Sequence, residues 1–170
     1  DALSRLLTGR EWIMADGATG TNLFNAGLQA GEPPELWCVD APDRIRALHS
    51  DAIEAGSDLV LTNSFGGNAS RLRMHGAERR VRELNHAAAE IARDVADRAG
   101  RPVVVAGSMG PTGDIMEPMG NLTHALAVEM FHEQADALKD AGADVLWVET
   151  ISSADEYSAA GEAARLAGMP

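Results

Sequence analysis

Four short runs of the chain are apolar almost throughout: WIMAD (12–16), DLVLTN (58–63), PVVVAG (102–107) and DVLWVE (144–149). Unbroken apolar runs, as opposed to alternating ones, predict strands buried on both faces, the mark of a parallel sheet covered by helices. Between them, apolar positions recur at helical spacing over roughly 42–55, 77–99 and 123–141, and again near 153–167. The predicted order is βαβαβαβα. Two stretches repeat, AGSDLVLTNS from Ala55 and AGADVLWVET from Ala141, each running from a helix end through glycine and aspartate into a strand. Glycine closes helices and aspartate favours turns, so the repeat reads as what any αβ junction needs, within a tandem βα architecture. A closed (β/α)8 barrel takes twice as many strands and about 250 residues. The fold class expected is therefore α/β, half a barrel or a small open sheet, with residues 1–170 in one domain.

In such folds ligands sit beyond the carboxyl ends of the strands. The residues there are Asp16, Gly17, Ala18, Thr19 and Gly20; then Thr62, Asn63, Ser64 and Phe65; then Gly107, Ser108, Met109 and Gly110; and finally Glu149 and Thr150. An aspartate before glycine is often only a turn former. Glu149 is harder to dismiss, because it ends the most apolar run, where an unpartnered carboxylate carries a heavy desolvation cost. No lysine or arginine stands between it and Arg165, and Lys139 belongs to the wet end of a helix. A ligand ammonium would supply the missing charge. Asp16 and Glu149 would hold an α-ammonium while the turn from Gly17 to Gly20 offers backbone N–H groups to a carboxylate, which makes an amino-acid site. Two carboxylates at strand ends also suit an acid/base pair or part of a hard-metal site.

Composition narrows the classes. The chain has 170 residues, 45% of them apolar and 24% charged, which suits one globular domain with a sizeable core. A formal net charge of −12 argues against nucleic acid and anionic membranes as partners. There is no apolar run long enough to span a bilayer and no signal-peptide pattern, so a cytoplasmic location is expected. Cys38 is the single cysteine, which rules out an internal disulfide and a Cys-rich zinc cluster. With no basic neighbour to lower its pKa, it reads as a small buried residue. The five histidines never fall into HxH or HExxH spacing. GSMGPTG (107–113) lacks the lysine of a phosphate-binding P-loop and reads as a long loop over the same rim. The basic stretch GAERRVRELNH (76–86) reads as a solvated helix face.

Several blocks in order, DGATGT (16–21), PDRIRALHSDAIEAGSDLVLTNSFGGNASRL (42–72), GSMGPTGD (107–114) and ADVLWVET (143–150), resemble the zinc-dependent homocysteine S-methyltransferases. That family includes betaine-homocysteine methyltransferase and the homocysteine domain of cobalamin-dependent methionine synthase. The resemblance implies a (β/α)8 TIM-type barrel that binds homocysteine at its top face, forms the thiolate on zinc and passes it a methyl group from an activated donor, giving methionine. It places Asp16 and Glu149 on the homocysteine amino group and the backbone of Gly17 and Ala18 on its carboxylate, with Thr62 and Asn63 completing the expected substrate-binding set.

The family's zinc is held by three cysteines, one after the sixth strand and an adjacent pair after the eighth, whereas this sequence stops at GEAARLAGMP, where a fifth strand should begin. Cys38 matches none of them. The expectation is four βα units of such an enzyme, with part of the homocysteine pocket and no metal site. Zinc then belongs to the complete enzyme, and this chain alone binds none and transfers no methyl group. The expected partners are homocysteine, a small methyl donor, and a missing barrel half or second copy to cover the open sheet. Betaine wants an aromatic cage, and only Phe24 and Phe65 are plausible rim aromatics; methylfolate and S-methylmethionine stay open. The alternatives are a non-catalytic amino-acid-binding or assembly half-barrel, and an unrelated barrel enzyme using Asp16 and Glu149 as acid and base.

Overall fold

The computed structural model describes residues 2–170; Asp1, part of the expected domain, lies outside the described residues. Three strands, β1 (Leu59–Leu61), β2 (Val104–Met109) and β3 (Val145–Val148), form a parallel sheet in that order. Leu59 stands beside Val104, and Ala106 beside Val145. The helices are α1 (Ala2–Gly9), α2 (Thr19–Asn25), α3 (Trp37–Asp40), α4 (Pro42–Glu54), α5 (Ala69–Arg73), α6 (Val81–Asp97), α7 (His124–Asp140) and α8 (Ala154–Ala167). One sheet face carries Val60, Val105 and Met109 into a core with Ala92 of α6, Phe131 and Leu138 of α7 and Ala160 of α8. Alanines dominate the helix surfaces there, so helices lie close to sheet and to one another. The opposite face is covered at its lower end by α1, whose Leu3 and Leu6 pack on Leu59, Val104, Ala106 and Val145.

The long helices fall where the apolar spacing puts them, except that α6 begins later, after a 3-10 turn over Glu78–Arg80. The first expected strand does not form as a strand. Only Ala15 pairs, in an isolated parallel bridge with Leu59, while Trp12 is 67% exposed and Met14 50% exposed. Trp12 and Met14 lie largely exposed at the sheet edge, while Ile13 between them is partly buried. β2 runs to Met109, two residues beyond the expected end, because Gly107 keeps the ladder close to its neighbours: a Cβ there would stand 3.0 Å from Leu138 and 3.2 Å from Leu146. Burial on both faces holds for β2 alone among the complete strands; Leu61 is only partly buried and Trp147 of β3 is exposed. On the outer edge of β3, the Leu146 N–H donates to the Pro170 carbonyl at 2.9 Å.

The sequence repeat has a structural cause. Gly56 and Gly142 take φ of +110° and +97°, the left-handed half of the map that glycine enters without strain. The aspartate that follows then reaches to the neighbouring strand: Asp58 accepts the Met14 N–H at 3.1 Å and Asp144 accepts the Val105 N–H at 2.9 Å. Arginines close both junctions. Arg10 lies 2.5 Å and Arg101 3.3 Å from Asp58, and Arg93 lies 2.9 Å from Asp144. These hydrogen bonds and charges, the Met14 N–H foremost, hold the Asp58 carboxyl below the usual carboxylate range. Each junction fixes the register of one strand on the next. No helix among the described residues is long and apolar enough to cross a membrane.

Candidate functional site

Asp16 explains why its run stops. Its N–H donates to the Leu59 carbonyl at 3.0 Å, but the next ladder donor, the Leu61 N–H, goes to the Asp16 carboxylate, with both oxygens at 3.1 Å. The side chain thus replaces the backbone carbonyl, and the chain is released into the turn of Gly17 and Ala18. Ala18 has φ +56°, a left-handed conformation that costs a residue with a Cβ roughly 1 kcal/mol. It also offers no side-chain cap to α2, so the helix's first N–H groups stay open toward the same rim.

Glu149 is less deeply placed than its apolar run suggests. It is half-buried, and its carboxylate accepts the Ser108 hydroxyl at 2.6 Å, a partner that the sequence reading did not assign. Neither Asp16 nor Glu149 is ion-paired to a lysine or arginine among the described residues. Burial pushes Asp16 up to about 6, and the nearby negative charge of Glu149 adds to the rise against the opposing Leu61 hydrogen bond. The two acids are therefore within Coulombic reach, at one cavity of about 890 Å3.

All six expected binding residues, Asp16, Gly17, Ala18, Thr62, Asn63 and Glu149, line that cavity. Thr62 and Asn63 have a second duty. The Thr62 hydroxyl accepts the Ser108 N–H at 3.0 Å and bonds the Ser64 hydroxyl at 2.6 Å, while the Ser64 hydroxyl donates to the Ser108 carbonyl at 2.8 Å. Asn63 donates to the Pro34 carbonyl at 2.8 Å and to the Cys38 sulfur at 3.4 Å, which holds the loop before α3 against the rim. Below them the turn from Ser64 to Gly67 is buried, so its carbonyls need protein donors. Gln134 of α7 supplies one to Ser64 at 2.7 Å, and Asn85 of α6 one to Gly67 at 2.8 Å. Gly67 is required by this contact, since a Cβ would lie 2.5 Å from the Asn85 amide.

Glu35, Arg71, His75 and Trp147 also line the cavity, a place that the sequence alone assigned to none of them. Trp147 was legible, because it stands two residues before Glu149 and strand alternation puts both on one face. Glu35 lay in a loop with no periodicity to place it. It is buried, accepts the Gly66 N–H at 2.6 Å, and burial pushes its pKa up. Phe65, expected at the rim, packs its ring on Gly110, where a Cβ would come within 2.6 Å.

Fold and site together define a parallel α/β protein with an acid-lined cavity at the carboxyl ends of its strands. A family model described as Homocysteine S-methyltransferase matches residues 13–170, and the chain belongs to that family. It is 35% identical over 157 residues to the methionine synthase of Mycobacterium tuberculosis (strain ATCC 25618 / H37Rv), a match covering 87% of this chain and 13% of that protein. The methionine synthase of Mycobacterium leprae (strain TN) is 34% identical over the same shares. The homocysteine methyltransferase MmuM from Escherichia coli superposes in its oxidized form with a TM-score of 0.83 at 25% identity, over 98% of this chain and 62% of that one. Its metallated form gives 0.83 at 26% identity, over 98% and 63%. The chain thus spans 13% of the methionine synthases it matches and under two thirds of the MmuM chain.

A zinc ion does not fit the described residues. Among them no three His, Cys, Asp or Glu side chains converge as a metal site. The Cys38 thiol donates to the Asn63 carbonyl, and burial pushes it up to about 12, so it stays a thiol at neutral pH.

Proposed function

We propose that this chain contributes one wall of the homocysteine pocket of a methyltransferase, as about four βα units of a (β/α)8 barrel. Asp16 and Glu149 take the substrate ammonium, and the open N–H groups after Gly17 take its carboxylate. The observation that carries this reading is the pair itself: two carboxylates on one cavity, mutually repelling and without a cationic side chain of the protein between them. An ammonium placed there relieves that repulsion and draws Asp16 into its charged form. Ser108 and Leu61 fix the two carboxylates through a hydroxyl and an N–H, so the acids are oriented before the ligand arrives. In the complete enzyme the zinc that activates the thiol is held by residues other than these, and the 170 residues alone are inactive. A second barrel half or a second copy covers the exposed Trp12, Met14 and Trp147.

Calorimetric titration with homocysteine and methionine, repeated on Asp16→Asn and Glu149→Gln, tests the pocket. Each substitution is expected to weaken binding at least about tenfold. Binding indifferent to both would refute the assignment. Light scattering after gel filtration tests the covering surface, with self-association expected unless the other half is supplied; a stable monomer with little hydrophobic-dye binding refutes it.

A further inference from the structure

The cavity carries charge of the other sign as well. Arg71 of α5 and His75 just beyond it line the same space as Asp16 and Glu149. Among the described residues the Arg71 guanidinium makes no ion pair and no hydrogen bond; its backbone is bonded, the N–H to the Asn68 side chain at 3.0 Å and the carbonyl to the Met74 N–H at 3.2 Å. Its side chain is nonetheless held in place. The loop after β2 passes over it at Gly113, where a Cβ would stand 3.2 Å from the Arg71 Nη1 and 3.3 Å from its Cδ. Glu35 lies near enough for the Arg71 and His75 charges to oppose the effect of its burial, but its bonded oxygen is occupied by the Gly66 N–H. A cationic fork that is held, half-exposed to a cavity and unpaired is a binding group for a planar or tetrahedral anion.

We propose that Arg71, with His75 beside it, binds an anionic group, carboxylate or phosphate, of a second ligand that shares the cavity with the amino acid. This rests on reading Asp16 and Glu149 as the amino-acid subsite, and on that reading the second ligand is the methyl donor. The acids and Arg71 then sort two ligands by charge, amine at one place and anion at the other, which keeps each from the other's position.

The test is calorimetric titration of the homocysteine-saturated chain, under reducing conditions, with glutarate in one arm and inorganic phosphate in the other. The wild-type chain is expected to bind at least one probe more weakly as salt rises, and the two arms tell carboxylate from phosphate. Arg71→Gln should lower that affinity at least about tenfold, Arg71→Lys should lose less than Arg71→Gln because it keeps the charge and loses only the fork, and both should leave homocysteine affinity within about twofold. Thermal melts of the variants show that they are folded. Absence of probe binding up to about 10 mM, or probe binding indifferent to Arg71→Gln, overturns the proposal. So does a tenfold loss of homocysteine binding in Arg71→Gln, which would assign Arg71 to the amino acid's own carboxylate. If homocysteine fails to bind the wild-type chain, the amino-acid reading falls by itself, and the same probes on the ligand-free chain and its Arg71→Gln variant still decide the anion site.

Discussion

Amino-acid binding should depend on pH through Asp16, in a direction that its environment fixes. The free chain holds Asp16 near 6 against an ordinary 3.8, with burial as the main cause. An ammonium needs the ionised form, so the affinity measured below pH 6 is the intrinsic affinity reduced by the ionised fraction. At pH 5 about one Asp16 in eleven is ionised and at pH 7 about ten in eleven, so affinity falls about tenfold between them. A free amino acid keeps its ammonium and carboxylate charged throughout this window, so the ligand contributes little of the slope. Methionine, which has no thiol to oxidise, is the suitable probe. Isothermal titration at pH 5, 6 and 7 should show the tenfold fall, and at pH 6 binding should release about half a proton to the buffer. In Asp16→Asn the profile should flatten at low affinity. An affinity that is flat in the wild-type chain, or that rises as pH falls, refutes the role given to Asp16.

The same shift has a stability consequence of opposite sign. A carboxyl whose folded pKa is raised above its unfolded value destabilises the fold as pH climbs from about 4 to about 6, because only the unfolded chain ionises without penalty. From 3.8 to about 6 the difference corresponds to roughly 3 kcal/mol unscreened, and solvent at this partly exposed site reduces it to about 1–2 kcal/mol. Asp16→Asn keeps an oxygen for the Leu61 N–H and loses the charge. It should therefore unfold at higher denaturant than wild type at pH 7 and match it near pH 4, while binding methionine poorly. A variant less stable at pH 7 than at pH 4, relative to wild type, would refute the electrostatic account.

Three further outcomes follow from local geometry. Asp58→Asn should destabilise the chain by about 2–3 kcal/mol in denaturant unfolding, because it leaves Arg10 and Arg101 without their shared carboxylate and weakens the tie to Met14; the wild-type contribution of Asp58 is present above pH 4 and is lost as pH falls through its depressed folded value. Ala18→Gly removes the left-handed strain at φ +56° and should stabilise by about 0.5–1 kcal/mol, after the extra freedom of glycine in the unfolded chain is set against the relief. Cys38, buried and pushed up to about 12, should react with a thiol reagent at pH 8 far more slowly than an unfolded thiol, with a rate that rises with denaturant as the chain opens; a rate equal to that of the unfolded chain would refute its burial.

The helices and the central strand were legible because burial there is periodic: Val104–Met109 is buried at every position, and α6 and α7 each bury an apolar face broken only by Asn85 and Gln134. The first strand was misread for a physical reason. Trp12, Ile13 and Met14 have the composition of a buried strand, but composition does not say whether anything covers the edge, and the bridge at Ala15 is all that forms. Helix α1 lies outside the expected elements because it precedes the first apolar run and is short, though Leu3, Leu6 and Leu7 stand at helical spacing. The acids were found from charge and desolvation, which need only local sequence. Ser108, Glu35 and Arg71 were not assigned, because their roles arise from contacts across long separations, such as Ser108 to Glu149 and Gly66 to Glu35.

The placing of Asp16 and Glu149 depends on the whole sheet. Asp16 hangs on β1 through Leu61, β1 pairs with β2, and Glu149 follows β3, so three strand intervals separate the two acids. At about 4.8 Å each, a flat sheet would put their backbones about 14 Å apart with side chains parallel, beyond the roughly 8 Å over which physiological salt screens exposed charges. Both acids nonetheless line one cavity, on the sheet face that bears Ser108, Trp147 and Glu149. β2 links the two sides of that cavity, since it is paired on both sides, its Ser108 N–H donates to the Thr62 hydroxyl and its Ser108 hydroxyl donates to Glu149. A Ser108→Ala change removes the hydroxyl that Glu149 accepts and keeps the backbone N–H to Thr62, so it frees the Glu149 carboxylate alone; titration with methionine should show weaker binding with the charge of the site unchanged, and unchanged affinity would refute the orienting role given to Ser108.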